Sequence, residues 1–185
     1  SEALFRGGVY LGQPKFPSLM GYEASGEIEA LGDGVQGFAV GERVCVLPNY
    51  RLGEYGVYAE RAIVPARSLL APPPGLSPVE SASIWMQYFT AMAVTEVAQA
   101  RPGDHVIIRA PSSSVGIAAI QLCNWAGAVP IAATRTSAKA EALKLLGAAH
   151  VIATEESDLV AEVRRITSGR GARVEPARRP RVCAA

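Results

Sequence analysis

Across residues 21–64 apolar side chains recur at every second position and glycines punctuate them, which is the pattern of short, half-buried antiparallel strands. Ile28, Ala30 and Val35 flank Gly32-Asp33-Gly34, where the Asp-Gly pair favours a tight hairpin turn. Residues 43–47 predict a second strand. Residues 57–64, with Val57, Ala59 and Arg61 alternating against Tyr58, Glu60 and Ala62, predict a third. Short strands with turns about every ten residues are the grammar of a small barrel or sandwich. The run Pro72-Pro73-Pro74-Gly75 fits neither a helix nor a central strand, so it reads as a surface connection that divides residues 1–76 from residues 77–174.

Beyond that connection the period changes. Ser77-Pro78-Val79-Glu80 has an N-cap serine, proline at the first helical position and an acid in the first turn, and predicts a helix running towards Gln99. Strands then alternate with helices: strand 104–108, helix 114–125, strand 129–134, helix 137–146, strand 150–153, helix 158–167. Such a βαβαβα order predicts a parallel sheet covered on both faces, with right-handed crossovers.

Composition narrows the class. Of 185 residues, 49% are hydrophobic and 19% charged, which excludes a disordered chain. A net charge of +1 lacks the cationic surplus that a nucleic-acid backbone demands. The longest apolar-rich stretch, residues 82–94, contains Ser83, Gln87 and Thr90 and falls short of the roughly 20 residues needed to span a bilayer, so no membrane association is expected. No secretory segment is read at Ser1, and Cys45, Cys123 and Cys183 form no CxxC pair. The expectation is a cytoplasmic protein with reduced, mostly buried thiols. His105 and His150, each opening a predicted strand, read as structural.

The chemistry-bearing motif is the passage from the strand His105-Val106-Ile107-Ile108-Arg109-Ala110 through Pro111-Ser112-Ser113-Ser114-Val115-Gly116 into a helix. Backbone N–H groups at the first helix N-terminus of a βαβ unit are where a dinucleotide pyrophosphate binds. Against GxGxxG, the glycine positions hold Pro111, Ser113 and Gly116. Gly116 still permits close helix-to-strand packing; Pro111 removes a donor, and Ser113 limits the approach of a phosphate. The hydroxyls of Ser112, Ser113 and Ser114 offer substitute donors. A plain strand-to-helix turn is the alternative reading. At the end of the next strand the register holds Ala133, Thr134 and Arg135 in place of the acid that grips a ribose 2′-hydroxyl; the nearest acid in sequence is Glu141. Arg135, with Lys139 a turn into the next helix, favours a 2′-phosphate and hence NADPH over NADH, unless both are simply solvated surface cations.

Gly21-Tyr22-Glu23-Ala24-Ser25-Gly26-Glu27-Ile28 and Leu31-Gly32-Asp33-Gly34-Val35-Gln36-Gly37-Phe38-Ala39-Val40-Gly41-Glu42-Arg43-Val44 resemble the catalytic domain of medium-chain dehydrogenases/reductases. Residues 110–116 and Lys139-Ala140-Glu141 resemble that family's cofactor domain, nearest its quinone oxidoreductase and zinc-free alcohol dehydrogenase-like branches. The resemblance implies an α/β chain: a GroES-like β-barrel catalytic domain followed by a Rossmann doubly wound parallel sheet. It also implies hydride transfer between NADPH and a small-molecule quinone, enone or carbonyl, and a homodimer for the full-length protein. The implied cofactor residues are Ser112, Ser113, Ser114, Val115, Gly116, Thr134, Arg135 and Lys139. Tyr10 stands where zinc-free quinone oxidoreductases carry an active-site tyrosine, and Thr90 matches the threonine beside the nicotinamide; a second family tyrosine falls at Leu4. Where zinc-bearing members have a histidine and a cysteine this chain has Tyr22 and Met86, so no metal is expected. Glu23 reads equally as a family residue or a hairpin acid, and Tyr22, Tyr50 and Tyr88 as cleft-lining side chains without chemistry.

The resemblance also calls for an apolar fourth strand following Gly171-Ala172-Arg173-Val174, but residues 175–185 carry Pro176, Pro180, Arg178, Arg179 and Arg181. Three strands are counted before this break, against six in a doubly wound dinucleotide domain. The expectation is a truncated chain: the start of the catalytic domain and the second half of the cofactor domain absent, with residues 175–185 an aberrant basic tail read out of frame. Two further readings stay open, a non-catalytic NADPH-binding or structural protein and the enoyl-reductase unit of a polyketide synthase.

Overall fold

Strands come first and alternate with helices later in a computed structural model that describes residues 2–9 and 14–174. The chain divides into two compact units between Met86 and Gln87. In the first, a short helix α1 (Glu2–Arg6) precedes a three-stranded antiparallel sheet of β1 (Ala24–Glu27), β2 (Arg43–Val46) and β3 (Leu69–Leu70), in the order β1-β2-β3. Val44, Cys45 and Val46 make β2 the buried centre.

Two expectations for this unit need correction. A tight turn does form at Gly32-Asp33-Gly34, where Val35 N–H donates to Gly32 C=O (3.2 Å), but it does not join β1 to β2: the last ladder bonds run from Ile28 N–H to Glu42 C=O (3.0 Å) and from Gly41 N–H to Ile28 C=O (2.8 Å), leaving a wide loop between. Residues 57–64 form no strand. The Tyr58 N–H donates to Met20 C=O (2.9 Å), and Gly56 packs so closely on Met20 that a Cβ there would lie 2.4 Å from its carbonyl oxygen. One such contact fixes the segment without starting a ladder.

Helix α2 (Pro78–Ser81) opens with the anticipated capping box. The Ser77 hydroxyl accepts from Glu80 N–H (3.3 Å), and the Glu80 carboxylate accepts from Ser77 N–H (2.8 Å). The predicted continuous helix towards Gln99 is instead broken into α2, α3 (Trp85–Ala91) and α4 (Ala93–Glu96). The break after Ala82 has a definite cause. The N–H groups of Trp85 and Met86 donate to Glu23 Oε2 (2.6 and 2.9 Å), and this carboxylate starts a new helix.

The second unit carries β4 (His105–Arg109), α5 (Ser114–Trp125), β5 (Val129–Thr134), α6 (Ala140–Leu145), β6 (His150–Ala153), α7 (Leu159–Ile166) and β7 (Arg173–Val174). A single 3₁₀ turn, Ser137–Lys139, replaces the predicted first turn of α6. The sheet is parallel, ordered β6-β5-β4-β7. Its fourth strand corrects the count of three: Arg173 and Val174 pair with Val106 and Ile107 on the side of β4 opposite β5. Residues 175–185 and Cys183 lie outside the described residues. Both faces are covered, which explains the unbroken apolar run in β4. Val106 and Ile108 pack with Ala119, Ile120 and Leu143 on one face, and Ile107 packs with Ile131, Ile152 and Val163 on the other. Cys45 and Cys123 are buried, and neither forms a disulfide among the described residues. No helix among the described residues is long and apolar enough to cross a membrane.

Burial, reinforced by the charges of His105 and Arg165, holds the His150 imidazole below its ordinary range. The unfolded chain therefore binds this proton more readily. The contribution to stability is present above the unfolded value of about 6.5 and is lost as pH falls through the lower folded value. Thermal melts between about pH 7 and pH 5 are expected to show a steeper decline for the parent than for His150→Gln. Parallel declines would remove His150 from the account.

Candidate functional site

In the second unit the strand order reverses between β4 and β7, so the crevice beyond the carboxyl end of β4 is a topological switch point, where open α/β sheets bind ligands. The chain leaves β4 through Ala110 at φ +48°, a left-handed conformation that costs a non-glycine residue about 1 kcal/mol. Ser113 N–H donates back to Ala110 C=O (3.0 Å), closing a tight turn over the buried Pro111. Ser113 then caps α5, its Oγ accepting from Gly116 N–H (3.0 Å). Its oxygen is thus committed to the helix, and its hydroxyl hydrogen remains a donor. The N–H groups of Ser114 and Val115, in the first helical turn, have no intrahelical acceptor. At Gly116 a Cβ would lie 2.5 Å from the Ala110 carbonyl oxygen and 2.7 Å from Pro111 Cα, so only glycine lets the helix seat against the turn.

Chain reversal brings Lys139 to this turn, its Nζ 3.2 Å from Ser112 Oγ. An ammonium, a hydroxyl and a helix N-terminus converge there, a combination suited to a diphosphate. Thr134 ends β5 and Arg135 follows it, exposed. Their carbonyls are tied to the loop after β6, Thr134 C=O accepting from Thr154 N–H (2.8 Å) and Arg135 C=O from Glu155 N–H (2.9 Å). In space an acid of this loop, Glu156, accepts through Oε1 from Ser137 N–H (2.8 Å) and Oγ (3.1 Å). Glu141, nearest in sequence, instead pairs with Lys144 (2.8 Å). Glu156 escaped the linear reading because it arrives from the next βα loop. The available signal was that both loops leave the carboxyl edge of one parallel sheet. Thr90 lies exposed on α3, and Tyr88 on the same helix donates its hydroxyl to Gln121.

The first unit contains a cleft of about 250 Å³ lined by Glu2, Tyr22, Glu23, Tyr58, Ala82, Ser83 and Met86. Tyr58 Oη donates to Glu2 Oε2 (3.0 Å), and this bond is the main reason the phenol stays protonated above its ordinary range. Tyr50 is set apart from the chemistry. Its hydroxyl donates to the carbonyls of Gly21 (2.9 Å) and Tyr22 (3.0 Å), and burial, aided by Glu2 and Tyr22, pushes its pKa up to about 12. Its ring packs against Tyr22 and Tyr55, with centroids 6.4 and 5.9 Å away. Tyr50 is a buttress. Glu23 does not act as a hairpin acid: it caps α3. Tyr10 lies outside the described residues.

Tyr22 and Met86, distant in sequence, line one cleft. The donor set does not fit zinc. A phenol and a thioether replace imidazole and thiolate, and the Glu23 oxygen nearest Met86 N–H is occupied by two backbone donors. Among the described residues no three His, Cys, Asp or Glu side chains gather as a metal-binding group.

Residues 1–74 match the family described as alcohol dehydrogenase GroES-like domain, and residues 114–175 that described as zinc-binding dehydrogenase. The chain is 33% identical to 2-haloacrylate reductase of Burkholderia sp over 166 residues, which are 88% of this chain and 48% of that protein. It is 31% identical to the synaptic vesicle membrane protein VAT-1 homolog of Rattus norvegicus over 168 residues, 90% of this chain and 40% of that protein. The crystal structure of Escherichia coli quinone oxidoreductase complexed with NADPH superposes with a TM-score of 0.79 at 28% identity, covering 92% of this chain and 51% of that one. The chain thus spans less than half the length of these curated relatives.

Proposed function

Because the chain belongs to the medium-chain dehydrogenase/reductase superfamily, in its quinone oxidoreductase-like branch, we propose that it is part of an NADPH-dependent reductase that works without zinc on a quinone, an enone or a related carbonyl compound. The observation that carries this reading is the junction of Ser112, Lys139 and the α5 N-terminus at the switch point of the sheet. NADPH, when bound, supplies the hydride. The chain's own residues do the rest. Ser112, Lys139 and the N–H groups of Ser114 and Val115 hold the diphosphate; Gly116 keeps the helix close enough for them to reach it. Thr134 and Arg135 lie where the adenosine ribose is read, with Arg135 neutralising a 2′-phosphate. In the cleft the Tyr22 hydroxyl donates to the oxygen on which charge builds during reduction, while Tyr58 stays bonded to Glu2; roles for Tyr10 and Thr90 rest on the family resemblance alone.

The test is NADPH oxidation by the intact protein with a panel of quinones and enones, repeated with Arg135→Asp. The variant is expected to bind NADPH at least about tenfold more weakly and to use NADH better, which corresponds to about 1.4 kcal/mol of lost charge pairing. Binding of the nucleotide without turnover of any acceptor would make the protein a non-catalytic member of the superfamily.

A further inference from the structure

The cleft of the first unit carries a feature that the superfamily assignment does not fix, namely its charge. Among the described residues that line it are two carboxylates, Glu2 and Glu23, and neither a lysine nor an arginine. The remaining polar groups are the phenols of Tyr22 and Tyr58 and the Ser83 hydroxyl, with Ala82 and Met86 supplying apolar wall. The two carboxylates are not equivalent. Glu23 is turned to the N-terminus of α3, where two backbone N–H groups share its Oε2. Glu2 accepts from a neutral phenol, Tyr58 Oη (3.0 Å), and among the described residues no lysine or arginine lines the cleft to compensate its negative charge. A ligand within this volume of about 250 Å³ sits within a few ångströms of that charge, well inside the Debye length of about 8 Å.

We propose that Glu2 is a specificity-determining residue that makes this cleft select uncharged acceptors, such as neutral enones and quinones, and reject those bearing a carboxylate. The inference rests on the reductase reading and deepens it. It also sets this chain apart from its relative named 2-haloacrylate reductase, whose named substrate is an anion. Discrimination comes from like-charge repulsion against the wrong ligand, which the Tyr58 bond reinforces by holding Glu2 in place.

The experiment compares a 2-haloacrylamide with the matching 2-haloacrylate in the intact protein with NADPH, so that the skeletons differ only in charge. The amide is expected to have a KM lower by about tenfold or more, as charge repulsion across a half-exposed cleft predicts. Glu2→Gln should shrink that ratio severalfold, and so should raising the salt concentration from about 0.02 to about 0.5 M in the parent. Equal KM values for the two compounds, or a ratio that neither the variant nor salt alters, would overturn the proposal. Should neither compound be reduced, and no quinone or enone of the panel either, the reductase reading fails separately. The selectivity is then read by tryptophan fluorescence, Trp85 adjoining the cleft residue Met86, as equilibrium binding of benzamide against benzoate. Preference for benzamide that Glu2→Gln weakens sustains the inference, and equal binding refutes it.

Discussion

Gly116→Ala is expected to lower the stability of the intact protein by about 2 kcal/mol in urea denaturation and to remove most of its affinity for NADPH. Two effects oppose each other. Alanine is the better helix former by about 1 kcal/mol, and Gly116 lies in the first turn of α5. Against this, its Cβ would stand 2.5 Å from the Ala110 carbonyl oxygen and 2.7 Å from Pro111 Cα. Those atoms are backbone, in a turn already constrained by the left-handed Ala110, so they cannot swing aside as a side-chain tip would. The helix must retreat, and the N–H groups of Ser114 and Val115 retreat with it. Gly26→Ala is the control: an added Cβ in β1 meets nothing within 4 Å, and its stability should change by less than about 0.5 kcal/mol. Equal behaviour of the two variants would show that the turn does not depend on glycine.

Glu23→Ala should be comparably damaging, at about 3 kcal/mol, because it removes the single carboxylate oxygen that accepts from both Trp85 and Met86 N–H. Hydrogen bonds to a charged acceptor are the stronger kind, and this pair is what restarts the helix after Ala82. Water entering the cleft would recover part of the loss, which keeps the figure below that for two fully buried bonds. Glu23→Gln keeps an acceptor oxygen without the charge and should cost about 1 kcal/mol. Denaturant titrations of the two variants separate the contributions. If Glu23→Ala is as stable as the parent, the break between α2 and α3 has another cause.

The second unit was more legible in sequence than the first, for physical reasons. Parallel strands buried on both faces read as continuous apolar runs, and helix 114–125 and strands 129–134 and 150–153 fall where the pattern put them. In the first unit, segments such as residues 57–64 are held by isolated contacts like that of Tyr58 N–H with Met20, which leave no periodic trace. The candidate site divides in the same way. Gly116 and the serines were visible because they are consecutive in a turn. Glu156, the double bond of Glu23 to α3 and the Glu2–Tyr58 pair join residues far apart in the chain, and no spacing rule reports such partners.

Isothermal titration of NADPH and NADH into the intact protein tests the central claim most directly, since the turn at residues 110–116 is read as the diphosphate cradle. Saturable binding of NADPH, at least about tenfold tighter than NADH and weakened by Lys139→Met, is the result the geometry predicts. Absence of heat from either nucleotide, with the protein folded, would contradict it.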